Sequence, residues 1–192
     1  MMASAASPAN VALVLWVLWF ASWMAAAGWS SAAVARQPSA ARLRHGVLVG
    51  LGAYFLFGYA QAPLLHRPLL PLPWWAGWAA VAMMPLGFAY SWWARIHIGR
   101  LWSGAVTLKA GHTIVRSGPY AFTRHPIYTG LLVAAAATAV VFNQVQSVLG
   151  FALMTAGFVV KLRQEERLLE GHFGHAYRDY RSEVKALVPG IW

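Results

Sequence analysis

Cysteine is missing from the 192-residue chain, which excludes disulfides, thiolate metal sites and cysteine nucleophiles. Acidic residues are nearly missing: five Asp and Glu stand against 15 Lys and Arg, for a net charge of +10. The basic residues fall between apolar runs instead of forming one stripe, so nucleic acid is not the expected partner. Charged residues make up 10% of the chain and hydrophobic ones 59%, with a mean hydropathy of +0.52. That balance excludes an ordinary soluble domain of this size and predicts an all-α integral membrane protein. No ionisable residue falls mid-span, which argues against a transporter.

Five transmembrane spans are predicted from apolar length, given that a helix needs about 20 residues to cross the hydrocarbon core. They run roughly from Ala9 to Trp29, Gly46 to Ala62, Trp74 to Trp93, Ile127 to Phe142 and Gln146 to Leu162. The first has no basic residue before it and is longer than a signal-peptide core, so it reads as a retained span. The last two, joined by a short turn from Asn143 to Gln146, form a helical hairpin. Residues 1–95 are expected to hold three N-terminal spans, and residues 96–192 a core of polar loop, hairpin and tail.

Arg36, Arg42 and Arg44 follow span one, and Arg95, Arg100, Lys109, Arg116 and Arg124 follow span three. The tail adds Lys161, Arg163, Arg167, Arg178, Arg181 and Lys185, while the Pro63 to Pro73 connection carries only Arg67. The positive-inside rule therefore places the N-terminus outside and the tail in the cytoplasm. The excess of Arg over Lys and the abundance of Ala suit a GC-rich bacterial genome, hence a bacterial inner membrane.

Trp16, Trp19, Trp23, Trp74, Trp75, Trp78, Trp92 and Trp93 read as helix packing and interfacial anchors, and Gly46 with Gly50 as a small-xxx-small packing pair. His45, His66 and His97 are isolated, and structural roles are expected for them. His172 and His175 are three apart on a polar segment, too little for a metal site. No metal is expected.

Polar chemistry concentrates in His112 to Gly130, which reads HTIVRSGPYAFTRHPIYTG. Ser117 to Tyr120 signal a turn, and Pro126 suits the first turn of a helix. Backbone N–H groups at that helix start, together with Arg124, could hold an anion such as a carboxylate. Headgroup anchoring by Arg124, His125 and Tyr128 is the plainer alternative. Glu165 and Glu166 weigh against it, because adjacent acids at a membrane boundary in so acid-poor a chain need cationic or hydroxyl partners.

The HTIVRSGPYAFTRHPIYTG run, then Glu165-Glu166, then Phe173-Gly174, Tyr177, Tyr180 and Val184, resembles the membrane-embedded isoprenylcysteine carboxyl methyltransferase and phospholipid methyltransferase family. The resemblance covers roughly Gly99 to Pro189. It implies a cytoplasm-facing pocket for S-adenosylmethionine and a lipophilic acceptor entering from the lipid. By motif position, His112, Thr113, Ile114, Val115, Tyr120, His125, Pro126, Ile127, Tyr128 and Glu165 would contact the cofactor. Lys161 falls where the isoprenylcysteine enzymes place a substrate-contacting Arg, a departure that loses the bidentate fork for a carboxylate. Arg124 joins Lys161 as a candidate substrate contact. If the acceptor is an amine, Glu166 or His125 would be the base; a carboxylate needs none. The acceptor stays open among an isoprenylcysteine-type carboxylate, a phospholipid amine and another small lipophilic group, with a phospholipid amine or other small lipophilic amine, carboxylate or thiol ranked above a prenylated protein because of Lys161 and the bacterial character of the composition. Two other readings remain: a sterol-type membrane reductase using NADPH, and a non-enzymatic subunit binding membrane lipids through its basic surface.

Overall fold

The structure, a computed structural model, describes residues 7–30, 33–36, 39–103, 107–109 and 113–192. Its helices are α1 Pro8–Ala25, α2 Ser39–Leu56, α3 Trp74–Ile98, α4 Pro126–Phe142, α5 Val145–Phe173 and α6 His175–Glu183. The expected helical class holds, with one addition: β1 Ala33–Arg36 and β2 Thr107–Lys109 form a short antiparallel ribbon. Two helices, α1 and α5, are long and apolar enough to cross a membrane, and α4 is a shorter apolar helix.

Several boundaries differ from those expected. Arg42 and Arg44, expected in a connection, lie on the first turns of α2, which ends at Leu56. Arg and Ala are strong helix formers, so polarity did not mark the helix start. Arg95 likewise belongs to α3. The largest difference is α5, which continues past Leu162 through the whole charged cluster to Phe173. At about 1.5 Å per residue it is ~43 Å long, more than the ~30 Å hydrocarbon core. The apolar part from Val145 to about Leu162 matches that core, and the charged part projects beyond it. The tail therefore starts with this helix extension, not with a separate segment.

The helices pack as two crossed pairs, α3 on α4 and α2 on α5, with α1 laid against α3 and α4 and the α4–α5 hairpin joining the pairs. Glycines permit the two close crossings. A Cβ at Gly87 would lie 2.5 Å from Gly130 O, and one at Gly52 would lie 2.7 Å from Met154 N and 2.9 Å from Gly150 O. The expected pair does something else: a Cβ at Gly46 or Gly50 would meet nothing within 4 Å. Gly52 is two residues beyond Gly50 and so about 200° around the helix, which puts it on the packed face.

The aromatic residues divide between packing and exposure. Trp16 Nε1 donates to Thr138 Oγ1 at 2.9 Å and Trp19 Nε1 to Ser91 Oγ at 3.2 Å, tying α1 to α4 and α3. Trp74 and Trp75, at the start of α3, are exposed, as an interfacial anchor would be. At the opposite end of the bundle from the charged cluster, His66 Nε2 sits 2.6 Å from Ala60 O and its Nδ1 3.3 Å from Gln146 Nε2, a structural role.

Candidate functional site

The polar stretch is positioned from three directions. After α3, a short turn at Gly99–Leu101 and residues Trp102 and Ser103 form one wall. Gly118 adopts φ +58°, with the His97 ring packed where a side chain would stand, and starts the tight turn Gly118–Ala121 that buries Pro119 and Tyr120. Such a φ strains any residue with a Cβ, so glycine is needed here. Pro126 opens α4 as expected, costing no helix hydrogen bond.

The chain after α6 returns along this helix start. Arg124 N donates to Lys185 O at 2.8 Å, His125 N to Ala186 O at 3.0 Å and Thr129 Oγ1 to Leu187 O at 2.8 Å. The amides of Arg124 and His125, which precede the helix start, are thus spent within the fold. The Arg124 guanidinium is committed as well. Nε donates to Glu166 Oε1 at 2.8 Å, Nη2 lies 2.7 Å from the same oxygen, and Nη1 donates to the carbonyls of Arg181 and Val184.

The two glutamates work on different sides of His125. Adjacent helix residues point about 100° apart, so one turn of α5 can approach a ring from two directions. Glu166 Oε1 lies 3.1 Å from His125 Nε2, and Glu165 Oε2 lies 3.5 Å from Nδ1. Tyr128 stacks on the same imidazole at 5.6 Å and donates to Glu165 Oε1 at 2.7 Å. Burial alone would lower the His125 pKa, but its contacts with Glu165 and Glu166 outweigh that and raise it. Burial would likewise raise both carboxyls, and it is overcome at Glu165 by His125, Lys161 and Tyr128, and at Glu166 by His125 and Arg124. Both end below the ordinary carboxylate value. The cluster is an Arg124–Glu166–His125–Glu165 chain in which a carboxylate oxygen faces each ring nitrogen of His125, an arrangement that favours an imidazole donating from both.

One cavity gathers Thr113, Ile114, Val115, Tyr120, Arg124, His125, Pro126, Ile127, Tyr128 and Glu165. His112 lies outside the described residues. Glu166 and Lys161 are not among the lining residues: Glu166 stands behind Arg124 and His125, and Lys161 Nζ lies 5.3 Å from the centre of the Tyr128 ring. Sequence reasoning missed further walls. Ile98, Leu101, Trp102 and Ser103 come from the end of α3, and Leu168 and Leu169 lie one turn beyond Glu165, a helical spacing that could have revealed them. Tyr177 and Tyr180, noticed only as part of a motif, close the cavity from α6.

Arg95 was also missed as more than a topology charge. It is 1% exposed, donates to Gly99 O, Ala26 O and Trp29 O at 2.8, 3.1 and 2.6 Å, and lies between the Trp29 and Trp102 rings at 4.8 and 4.4 Å. It thereby satisfies carbonyls at the ends of α1 and α3 and fixes Trp102 in the cavity wall.

The profile of the isoprenylcysteine carboxyl methyltransferase family matches residues 80–171, which hold most of this cavity. A protein-S-isoprenylcysteine O-methyltransferase of Dictyostelium discoideum is 35% identical over 81 residues, 42% of this chain and 34% of its own. The B form of that enzyme from Arabidopsis thaliana is 29% identical over 133 residues, 68% of each chain. One from Schizosaccharomyces pombe is 33% identical over 101 residues, 51% of this chain and 43% of its own. The match thus spans from about a third to two thirds of these relatives. Over residues 80–171, just under half of its length, the chain is thus similar to the isoprenylcysteine carboxyl methyltransferase family.

Proposed function

We propose that the protein is a membrane methyltransferase that uses S-adenosylmethionine to methylate a carboxylate on a lipophilic, isoprenylcysteine-type acceptor. One observation carries the reading: residues 113–115, Tyr120, residues 124–128 and Glu165, spread over some 50 positions of sequence, converge on one cavity.

The lining suits this cofactor. Ile98, Leu101, Trp102 and Leu168 offer apolar and aromatic surface for a purine and ribose, while Glu165 and the tyrosines offer polar groups for an amino-acid end. When bound, S-adenosylmethionine supplies a methyl group on a positive sulfur, open to in-line displacement. Glu165 presents a carboxylate held in place by Tyr128 and His125, suited to a cationic group. Glu166 anchors Arg124 and His125 from behind. Neither base candidate is free for proton removal, since a carboxylate faces each nitrogen of His125 and Glu166 is paired with Arg124 and His125. An acceptor already anionic at neutral pH therefore fits better than an ammonium group.

Lys161, beside Tyr128 and on the membrane side of Glu165, serves as the point charge that attracts the acceptor carboxylate. On this reading the chain crosses a bacterial membrane five times with its N-terminus outside and its C-terminus cytoplasmic, as its charge asymmetry predicts, and the cavity would lie at the inner boundary, where such acceptors and the soluble cofactor meet.

The test supplies S-adenosylmethionine with a labelled methyl group to the purified protein, with a farnesylated N-acetylcysteine or phosphatidylethanolamine as acceptor. Base-labile methyl ester on the farnesylated cysteine is the expected product. Methylation of the amine lipid alone would overturn the carboxylate assignment.

A further inference from the structure

Beyond α6 the chain runs toward the membrane. Its carbonyls step along the start of α4: Lys185 O accepts from Arg124 N at 2.8 Å, Ala186 O from His125 N at 3.0 Å, and Leu187 O from Thr129 Oγ1 at 2.8 Å, a turn inside the helix. Ala186 and Leu187 are buried in the same core as Tyr128 and Leu131. The 17 residues of α4 span ~25 Å, less than the ~30 Å hydrocarbon core, so a membrane-crossing α4 has no length to spare and its first turn lies at the boundary. The tail beside Thr129 shares that depth.

Residues 187–192 then close into a turn. Leu187 N and Val188 N donate to Trp192 O at 2.8 and 2.6 Å, Ile191 N and Trp192 N each donate to Val188 O at 3.1 Å, and Pro189 has no N–H. A backbone that bonds its polar groups internally tolerates an apolar medium. The side chains agree: Ile191 is 78% exposed and Trp192 46%, while Lys185, exposed at the level of Arg124, stands where headgroups would be. Trp below and Lys above is the pairing that suits a membrane interface.

We infer that the 187–192 turn is an interfacial anchor whose ligand is the cytoplasmic leaflet, with Ile191 and Trp192 seated at the boundary of headgroups and acyl chains. The anchor pins to the membrane the stretch of tail that holds Arg124, His125 and Thr129, and with it one end of the cavity. This goes beyond the proposed activity and rests only on α4 crossing the membrane, so it stands whether or not the cavity takes a methyl donor.

The experiment uses the absence of cysteine. The full chain carrying Ile191→Cys, and separately Trp192→Cys, is given a nitroxide spin label and reconstituted in vesicles of phosphatidylethanolamine and phosphatidylglycerol. Relaxation by oxygen is then compared with relaxation by a water-soluble nickel chelate. Both labels should respond more to oxygen and read about 5–10 Å into the boundary. A label at Ser182→Cys, on the exposed face of α6, should respond more to nickel. A nickel response at 191 and 192 equal to that at 182 would show a solvated tail and overturn the inference. Shielding of 191 and 192 from both reagents, with dipolar coupling that vanishes on dilution with unlabelled protein, would seat a second copy there and overturn it equally.

Discussion

His125 has a carboxylate at each ring nitrogen, so its charge and the fold depend on each other. Its pKa is raised in the fold, so its contribution to stability is complete below the ordinary histidine value of about 6.5 and is lost as pH rises through the raised value. Glu165 and Glu166 are lowered, so their contribution is complete above about 4.3 and is lost as pH falls through the lowered values. Thermal melts in detergent should be highest between about pH 4.3 and 6.5, and His125→Gln should lose the decline on the alkaline side. If that decline persists in the variant, His125 is not its cause. Glu166→Gln would leave Arg124 buried against an uncharged partner and should cost about 3 kcal/mol in the same melts. An unchanged melting temperature would show that the pair does not hold the site. The residue types were legible in the sequence, since adjacent acids at a membrane boundary called for cationic partners. Which acid did what was not, because a partner about 40 positions away is chosen by how α4 and α5 cross, and no local spacing encodes that.

At the scale of elements, the helix crossings make a sharp contrast among glycines. Gly130→Ala or Gly150→Ala would drive a methyl group into the backbone of the facing helix and should destabilise by about 1–3 kcal/mol. Gly46→Ala and Gly50→Ala meet open space and should be neutral or stabilising by up to about 1 kcal/mol. Melting all four variants in one detergent checks this, and equal losses would contradict the crossings. Five of the helices were legible from apolar length, two of them, α1 and α5, long and apolar enough to cross a membrane, and α4 begins within a residue of the expected position, because proline punctuates a helix start. The ends of α2, α3 and α5 were not, since Arg, Glu, Gln and Leu continue a helix as readily as they leave a membrane. The small-xxx-small spacing of Gly46 and Gly50 pointed to the wrong face of α2 for the same kind of reason: spacing shows that residues share a face, not which face is covered.

At the scale of the molecule, the missing cysteine is an experimental advantage. Single-cysteine variants Leu70→Cys, in the proline-rich connection, and Val188→Cys, in the tail, can be labelled in intact cells with a membrane-impermeant maleimide. The positive-inside asymmetry predicts labelling at position 70 and protection at 188 until the cells are opened. The reverse pattern would put the cavity on the wrong side for a cytosolic cofactor. The cavity is where sequence and structure join most closely, because Thr113 to Val115, Tyr120, His125 to Tyr128 and Glu165 were named from motif position and line one space. The most direct measurement is calorimetric titration of the purified chain and its Glu165→Gln variant with S-adenosylhomocysteine, alongside NADPH. The expected result is wild-type binding of S-adenosylhomocysteine alone, weakened at least about tenfold in the variant. Binding of NADPH alone, or of neither ligand, would contradict a methyltransferase pocket.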